Sequence, residues 1–253
     1  MKKTRLLLFL ALCCAACSEP SGDPEIIIDP PADPILRAAH FYFTDQTHYR
    51  VEYQYGFMLE KEIERKENGD TLTLTAYKYD KYVRLIEQRM GTDPQAGIFT
   101  YQYNGDTLIS AEYKDSAPIP QHFTRAYSYP DEKTVRIVEQ NNVTKTVQHI
   151  YLYIEKNNIV RTKTLDPVTD QVIEEIEFEY DNYFNPYFRM TGKSDISRFY
   201  SPNNITVMRT RFRRGESVNS EVRYAYEYRG PFPIKKYQLL ANNKRLLEQE
   251  YFY

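Results

Sequence analysis

The sequence is poor in the residues that usually carry chemistry. Its three cysteines, Cys13, Cys14 and Cys17, all stand at the N-terminus. The rest of the chain therefore has no thiol for a disulfide, a metal thiolate or covalent catalysis. Tryptophan is absent, which counts against a dedicated sugar-stacking platform. The histidines His40, His48, His122 and His149 are scattered, without the spacing of a helical zinc motif. The glycines form no phosphate loop, no dinucleotide pattern and no nucleophile elbow. Lys and Arg number 33 against 35 Asp and Glu, a net charge of −2 that lacks the basic footprint of a nucleic-acid binder. Helical periodicity is nearly absent. These gaps predict a chain with no metal, no cofactor, no nucleic-acid partner and no enzymatic activity.

The only long apolar run is Leu6 to Leu12, preceded by Lys2, Lys3 and Arg5. It is too short for a permanent span and has the layout of a secretory signal. Cys14-Ala15-Ala16-Cys17 resembles the lipobox of bacterial lipoproteins, with Cys14 where leucine is usual. The resemblance implies cleavage before Cys17 and lipidation of its thiol; the alternative is an ordinary signal peptide cut near Ala16. Ser18 to Pro34 is rich in proline and acid, the composition of an extended tether. The expected layout is a signal peptide over 1–16, a lipidated Cys17 and tether over 17–35, and a β domain over 36–253. Ser18-Glu19 also resembles the surface-export signal of Bacteroidota lipoproteins. Both the periplasmic leaflet and the cell surface of the outer membrane fit this address.

What the chain has in abundance is tyrosine, 24 residues. They recur as an aromatic-x-aromatic step at Tyr53/Tyr55, Tyr77/Tyr79, Tyr101/Tyr103, Tyr127/Tyr129, Tyr151/Tyr153, Phe178/Tyr180, Tyr226/Tyr228 and Tyr251/Tyr253. Successive steps stand about 25 residues apart, and one double gap holds a degenerate copy near Arg198-Phe199-Tyr200. The two rings of each step stand two residues apart and so share one face of a strand, with polar residues such as Lys78, Gln102 and Glu227 between them in most copies. One set of turn signals follows the aromatic step within a few residues, among them Asp80-Lys81, Asn104-Gly105 and Arg229-Gly230. A second set falls midway, including Asn68-Gly69, Asn141-Asn142, Asp166-Pro167 and Arg214-Gly215. The pattern predicts an all-β fold: a long curled antiparallel meander of repeated β-hairpins, an open or half-barrel sheet of roughly sixteen to eighteen strands. Asp181 to Pro202 interrupts the rhythm and reads as a loop that caps a sheet end or forms a binding rim.

Tyr77-Lys78-Tyr79-Asp80-Lys81-Tyr82-Val83-Arg84-Leu85 is similar to the YD repeat of Rhs-type proteins, Tyr-x-Tyr-Asp-x-x-Gly-Arg-Leu, with Val83 in place of the glycine. Together with the signal and tether, the chain resembles Bacteroidota lipoproteins built of degenerate YD-like repeats, a family of uncharacterised function. The resemblance implies a curled antiparallel sheet and brings no catalytic residues with it.

Two functional classes follow. In the first, the domain is a lipid-anchored extracytoplasmic binding or scaffold protein, tied to the membrane through Cys17 and recognising a protein or glycan. Its candidate binding face is the tyrosine set Tyr53, Tyr55, Tyr77, Tyr79, Tyr101, Tyr103, Tyr127, Tyr129, Tyr151, Tyr153, Tyr226 and Tyr228. In the second, that face lines a carrier site for a lipid or other apolar ligand. His149 shares the parity of Tyr151 and Tyr153 and is expected in the core. A spanning barrel is disfavoured, because Arg50, Glu52, Lys78, Glu175, Glu177, Glu179, Arg223 and Glu227 fall opposite the tyrosines, where a lipid-facing wall needs an apolar band.

Overall fold

The computed structural model describes residues 35–45, 47–91, 93, 96–188, 190, 201–212, 218–242 and 244–253, without the side chain of Val218. Cys17, the signal and nearly all of the tether, the degenerate copy near Tyr200 and the Arg214-Gly215 turn lie outside them.

Sixteen strands run through the described residues. The first four are β1 (Ala38–Tyr42), β2 (His48–Tyr55), β3 (Leu59–Lys66) and β4 (Thr71–Tyr79). Then come β5 (Leu85–Met90), β6 (Gly97–Asn104), β7 (Thr107–Lys114) and β8 (His122–Asp131). The third group is β9 (Thr134–Asn141), β10 (Val147–Glu155), β11 (Asn158–Leu165) and β12 (Val172–Phe184). The last is β13 (Asn203–Phe212), β14 (Val218–Arg229), β15 (Phe232–Leu239) and β16 (Arg245–Phe252). Each pairs antiparallel with its sequence neighbours, as short turns between amphipathic strands favour everywhere except at the long β12–β13 connection.

The expectation of an open or half-barrel sheet is corrected: the sheet is a closed barrel. β1 pairs with β16 through Ala38↔Phe252, Ala39↔Tyr251, His40↔Glu250 and Phe41↔Gln249. No turn announces this seam, since it joins the two ends of the domain. Closure removes both free edges, which an open sheet of this length would expose to aggregation.

A closed sheet has one inner and one outer face, and the register assigns each residue. Tyr53, Val51, Tyr77, Tyr101, Ala111, Tyr127, Ile137, Leu152 and Tyr251 belong to one buried cluster on the inner face. The long β12–β13 connection reaches the same cluster. Tyr187 sits edge-on to Tyr53 at 6.3 Å and to Tyr251 at 6.0 Å between ring centroids, and Met190 joins them. The described part of this segment therefore caps the barrel end where the tyrosines gather. β12 itself continues to Phe184, further than the sequence pattern indicates.

The tyrosine steps build that end through one repeated device. In β2–β3 the register shifts between Gln54 and Tyr55, so Glu60 is an extra residue opposite the pair and Tyr55 faces Leu59. The same bulge recurs at Ile86, Ile109, Val160, Thr206 and Ile234. An aromatic of the next hairpin, usually the second of its step but the first in Tyr226/Tyr228, then donates its hydroxyl to the carbonyl just before the bulge. Tyr79 reaches Leu59 at 2.8 Å, Tyr103 reaches Leu85 at 2.9 Å and Tyr129 reaches Leu108 at 2.9 Å. Tyr180 reaches Ile159 at 2.5 Å, Tyr226 reaches Ile205 at 2.8 Å and Tyr253 reaches Pro233 at 3.0 Å. A bulge disrupts the ladder and bends its strand; the hydroxyl occupies a carbonyl at that disruption and ties adjacent hairpins together. In β8–β9 the extra residue lies on β8 instead. There the following inward position is Ile154, which has no hydroxyl to donate.

The complete YD-like copy shows what its other residues do. Asp80 Oδ1 accepts from the amides of Tyr82 at 2.9 Å and Arg84 at 3.0 Å, closing the turn. Arg84 Nε donates to Asp80 Oδ2 at 2.7 Å, and the guanidinium also donates to the carbonyl of Gly105 in the next turn. Burial alone would raise the Asp80 carboxyl; the Arg84 hydrogen bonds outweigh it and hold the group below its ordinary range. Val83 sits at φ 63°, a left-handed backbone conformation that favours glycine, the residue at this place in the repeat it resembles.

Candidate functional site on the outer wall of strands nine to twelve

The inner tyrosines are committed to the fold. Besides the hydroxyl–carbonyl bonds, Tyr77 donates to Glu62 at 2.9 Å and Tyr101 to Gln88 at 3.0 Å. Tyr53, Tyr77, Tyr101 and Tyr127 are buried among aliphatic side chains. Tyr228 donates to Asp181 and stacks on Tyr183 at 4.2 Å. Burial pushes the phenols of Tyr103, Tyr180 and Tyr224 up to about 12 and raises those of Tyr55, Tyr79, Tyr226, Tyr228 and Tyr253 as well. The hydroxyls of Tyr79, Tyr103, Tyr180, Tyr226, Tyr228 and Tyr253 meet side chains and carbonyls of the barrel itself, while that of Tyr55 is buried without a hydrogen-bond partner.

Tyr151 and Tyr153 are different. Leu152 pairs with the inward Val135 and Ile150 with the inward Ile137, and both pack in or against the buried cluster. Tyr151, Tyr153 and His149 therefore point outward, which corrects the expectation that they lie on the buried face. Strand β10 carries two competing stripes, Ile150-Leu152-Ile154 and His149-Tyr151-Tyr153. Aliphatic side chains gain more from burial than rings carrying a polar atom, so the first stripe turns inward.

The register then lays out the outer wall. One row runs Thr134, Tyr153, Arg161 and Glu177 across β9 to β12. The next runs Arg136, Tyr151, Lys163 and Glu175. The first row floors an open cavity of about 380 Å³, flanked by Lys133 and Glu155, within the ~300–1,000 Å³ range of small-ligand sites. The bulge at Val160 lies at its edge and breaks the flat ladder there.

Charges in this patch are unevenly matched. Lys163 pairs with Glu175 at 3.2 Å, and Glu177 with Arg211 at 3.3 Å. The Arg161 guanidinium lies 4.2 Å from the Tyr153 ring centroid, a cation–π arrangement. The Nε atoms of Arg161 and Arg136 are buried without a hydrogen-bond partner, an uncommon condition for a buried charged donor. Sequence reasoning did not single out Arg161, Arg136 or Lys133; the two-stripe parity of β10 was the available signal, since it places these residues beside outward tyrosines.

Elsewhere the outer wall is laced with ion pairs. Lys78–Glu87 stands at 2.8 Å, Arg65–Glu52 at 3.1 Å, Arg209–Glu221 at 2.6 Å and Lys235–Glu250 at 3.1 Å. At the seam, His40 stacks on His48 at 4.9 Å, and burial followed by the His48 and Arg50 charges lowers the His40 pKa. Among the described residues, no cluster of three or more His, Cys, Asp and Glu could hold a metal ion.

No protein-family model matches the chain, and no curated protein matches its sequence. Solved structures do match. A porin-like protein from Bacteroides vulgatus is similar at a TM-score of 0.57 with 11% identity, over 87% of this chain and 99% of that one. A porin-like protein from Bacteroides uniformis is similar at a TM-score of 0.50 with 13% identity, over 88% of this chain and 99% of that one. At such identities the likeness concerns the fold: this chain has an all-β, porin-like barrel.

Proposed function

We propose that this is a non-enzymatic binding protein, held at the outer membrane by lipid on Cys17, that recognises its partner with the outer wall of β9 to β12. The observation that carries the reading is the division of labour among tyrosines. Inward Tyr79, Tyr103, Tyr180, Tyr226 and Tyr253 place their hydroxyls on the barrel's own carbonyls, whereas Tyr151 and Tyr153 face outward beside unpartnered guanidinium nitrogens. The close packing of Tyr53, Tyr77, Tyr101 and Tyr127 counts against the alternative of a carrier whose aromatic face holds an apolar ligand.

A porin-like fold also raises the reading of a membrane-spanning channel. The ionic outer wall opposes it. Each Arg or Lys facing lipid at mid-membrane costs about 2–4 kcal/mol, and Arg50, Lys78, Arg209 and Arg223 are spread over β2, β4, β13 and β14. A water-facing barrel on a lipid tether satisfies both the wall and the lipobox resemblance.

The test is expression of the full chain with Cys17→Ala, followed by fractionation. The reading expects release from the membrane as a detergent-free soluble barrel. It also expects capture of an envelope protein or glycan that is lost in the Tyr151→Ala/Tyr153→Ala double variant. Continued need for detergent would instead establish a spanning barrel.

A further inference from the structure

We infer that the cavity on β9 to β12 binds an acidic saccharide, a polyhydroxylated ring bearing one carboxylate. This rests on the reading of the outer wall as the recognition surface and names its ligand class. The Arg161 guanidinium is fixed against the Tyr153 ring; among the described residues it has no carboxylate partner, and since its Nε is buried, its terminal nitrogens are what a ligand in the cavity can meet. A carboxylate is the planar group that fits such a fork. The other lining groups indicate the rest of the ligand. Glu155 and Glu177 lie in the same cavity as Lys133 and Thr134. Two carboxylates repel a dianionic phosphate or a cluster of sulfates, but they accept hydrogen bonds from hydroxyls, as Lys133 and Thr134 donate them.

An extended peptide is a poor fit. Strand addition needs a free sheet edge, and the closed barrel leaves none. A purely apolar ligand would cover the guanidinium without offering it an acceptor, at a desolvation cost. A monoanionic, hydroxyl-rich ring meets each lining group with its complement.

The experiment uses the full chain with Cys17→Ala and four probes: tetramers of galacturonic acid and of glucuronic acid, and the methyl ester of each. Isothermal titration is run at low and at physiological salt. At least one acid tetramer should bind, its methyl ester about tenfold more weakly or worse, a difference of ~1.4 kcal/mol. Arg161→Gln should erase the difference between the acid and its ester. Tyr153→Ala should weaken both. Unaltered melting of the variants would confirm that the fold is intact. Equal binding of acid and ester, or an Arg161→Gln variant that binds the acid normally, overturns the inference. So does failure of all four probes. If capture of another partner then still depends on Tyr151 and Tyr153, the outer-wall reading survives without its acidic ligand.

Discussion

The hydroxyl of Tyr103 donates to the carbonyl of Leu85 at 2.9 Å, and Leu85 in turn faces Tyr79 across the β4–β5 ladder. Tyr79 makes the same bond to Leu59, which faces Tyr55. The aromatic step is thus one rung of a chain of contacts that passes from hairpin to hairpin around one end of the barrel. Replacing Tyr103 with Phe keeps the ring and removes the bond. The expected loss is ~1 kcal/mol, with more if the Leu85 carbonyl finds no water. Urea denaturation of Tyr103→Phe should show a lower midpoint at unchanged slope. No change in midpoint would mean that the hydroxyl contributes nothing to joining the hairpins.

Val83 gives a prediction of opposite sign. A β-branched residue at φ 63° is strained, and the YD-like motif places glycine there. Val83→Gly should relieve ~1 kcal/mol of strain, less what the unfolded chain gains in freedom. The expected outcome is a small rise in thermal midpoint, and a fall would show that the Val83 side chain contributes more by packing than its backbone loses.

The buried phenols make the fold sensitive to base. Tyr103, Tyr180 and Tyr224 are pushed up to about 12 by burial, whereas an unfolded tyrosine ionises near ~10. A raised pKa means that the folded state favours the neutral phenol. That contribution is complete below pH ~10 and is lost as the pH climbs through about 12. Tyrosinate absorbance in the native protein should lag behind that in urea and then rise together with unfolding. A native titration centred near 10 without loss of structure would contradict the burial of these rings.

Much of this architecture is legible in the sequence. Turn signals such as Asn68-Gly69, Asp80-Lys81 and Asn104-Gly105 fall where strands reverse. Period-two alternation identifies the inner tyrosines, because two residues always span one pleat. Closure was not legible, since the β1–β16 seam depends on contacts between Ala39 and Tyr251 that no local pattern encodes. The bulges also escape a two-residue period. Leu85-Ile86 and Leu108-Ile109 read as apolar pairs, and only the register shows that one member faces in while Ile86 and Ile109 are 38% and 41% exposed. The candidate site was missed for a related reason: on β10 the aromatic period and the aliphatic period are out of phase by one residue.

Tyr187 tests the cap. It is buried against Tyr53 and Tyr251, edge-on to both rings. Tyr187→Ala should cost ~3 kcal/mol, as for other buried aromatics. Hydrogen exchange should report faster opening of β2 and β16 first, because those strands supply the rings that lose their contact. Uniform destabilisation of all strands would place the cap's influence on the barrel as a whole.

The phase of β10 underlies the proposed site, and a pair of substitutions decides it. Leu152 is buried in the inner cluster at 5% exposure, and a lysine there must either strand its ammonium among Val135, Ile137 and Ile159 or distort the wall. The expected cost of Leu152→Lys is about 3 kcal/mol or more. Tyr151 is only half-buried on the outer face, where a lysine can extend its stem along the wall and keep its charge in water. Tyr151→Lys should therefore change stability by no more than ~1 kcal/mol. Denaturation midpoints of the two variants measured side by side give the answer. If Tyr151→Lys proves the more damaging, the tyrosines of β10 face inward, and the outer wall of β9 to β12 loses the aromatic surface on which its binding role depends.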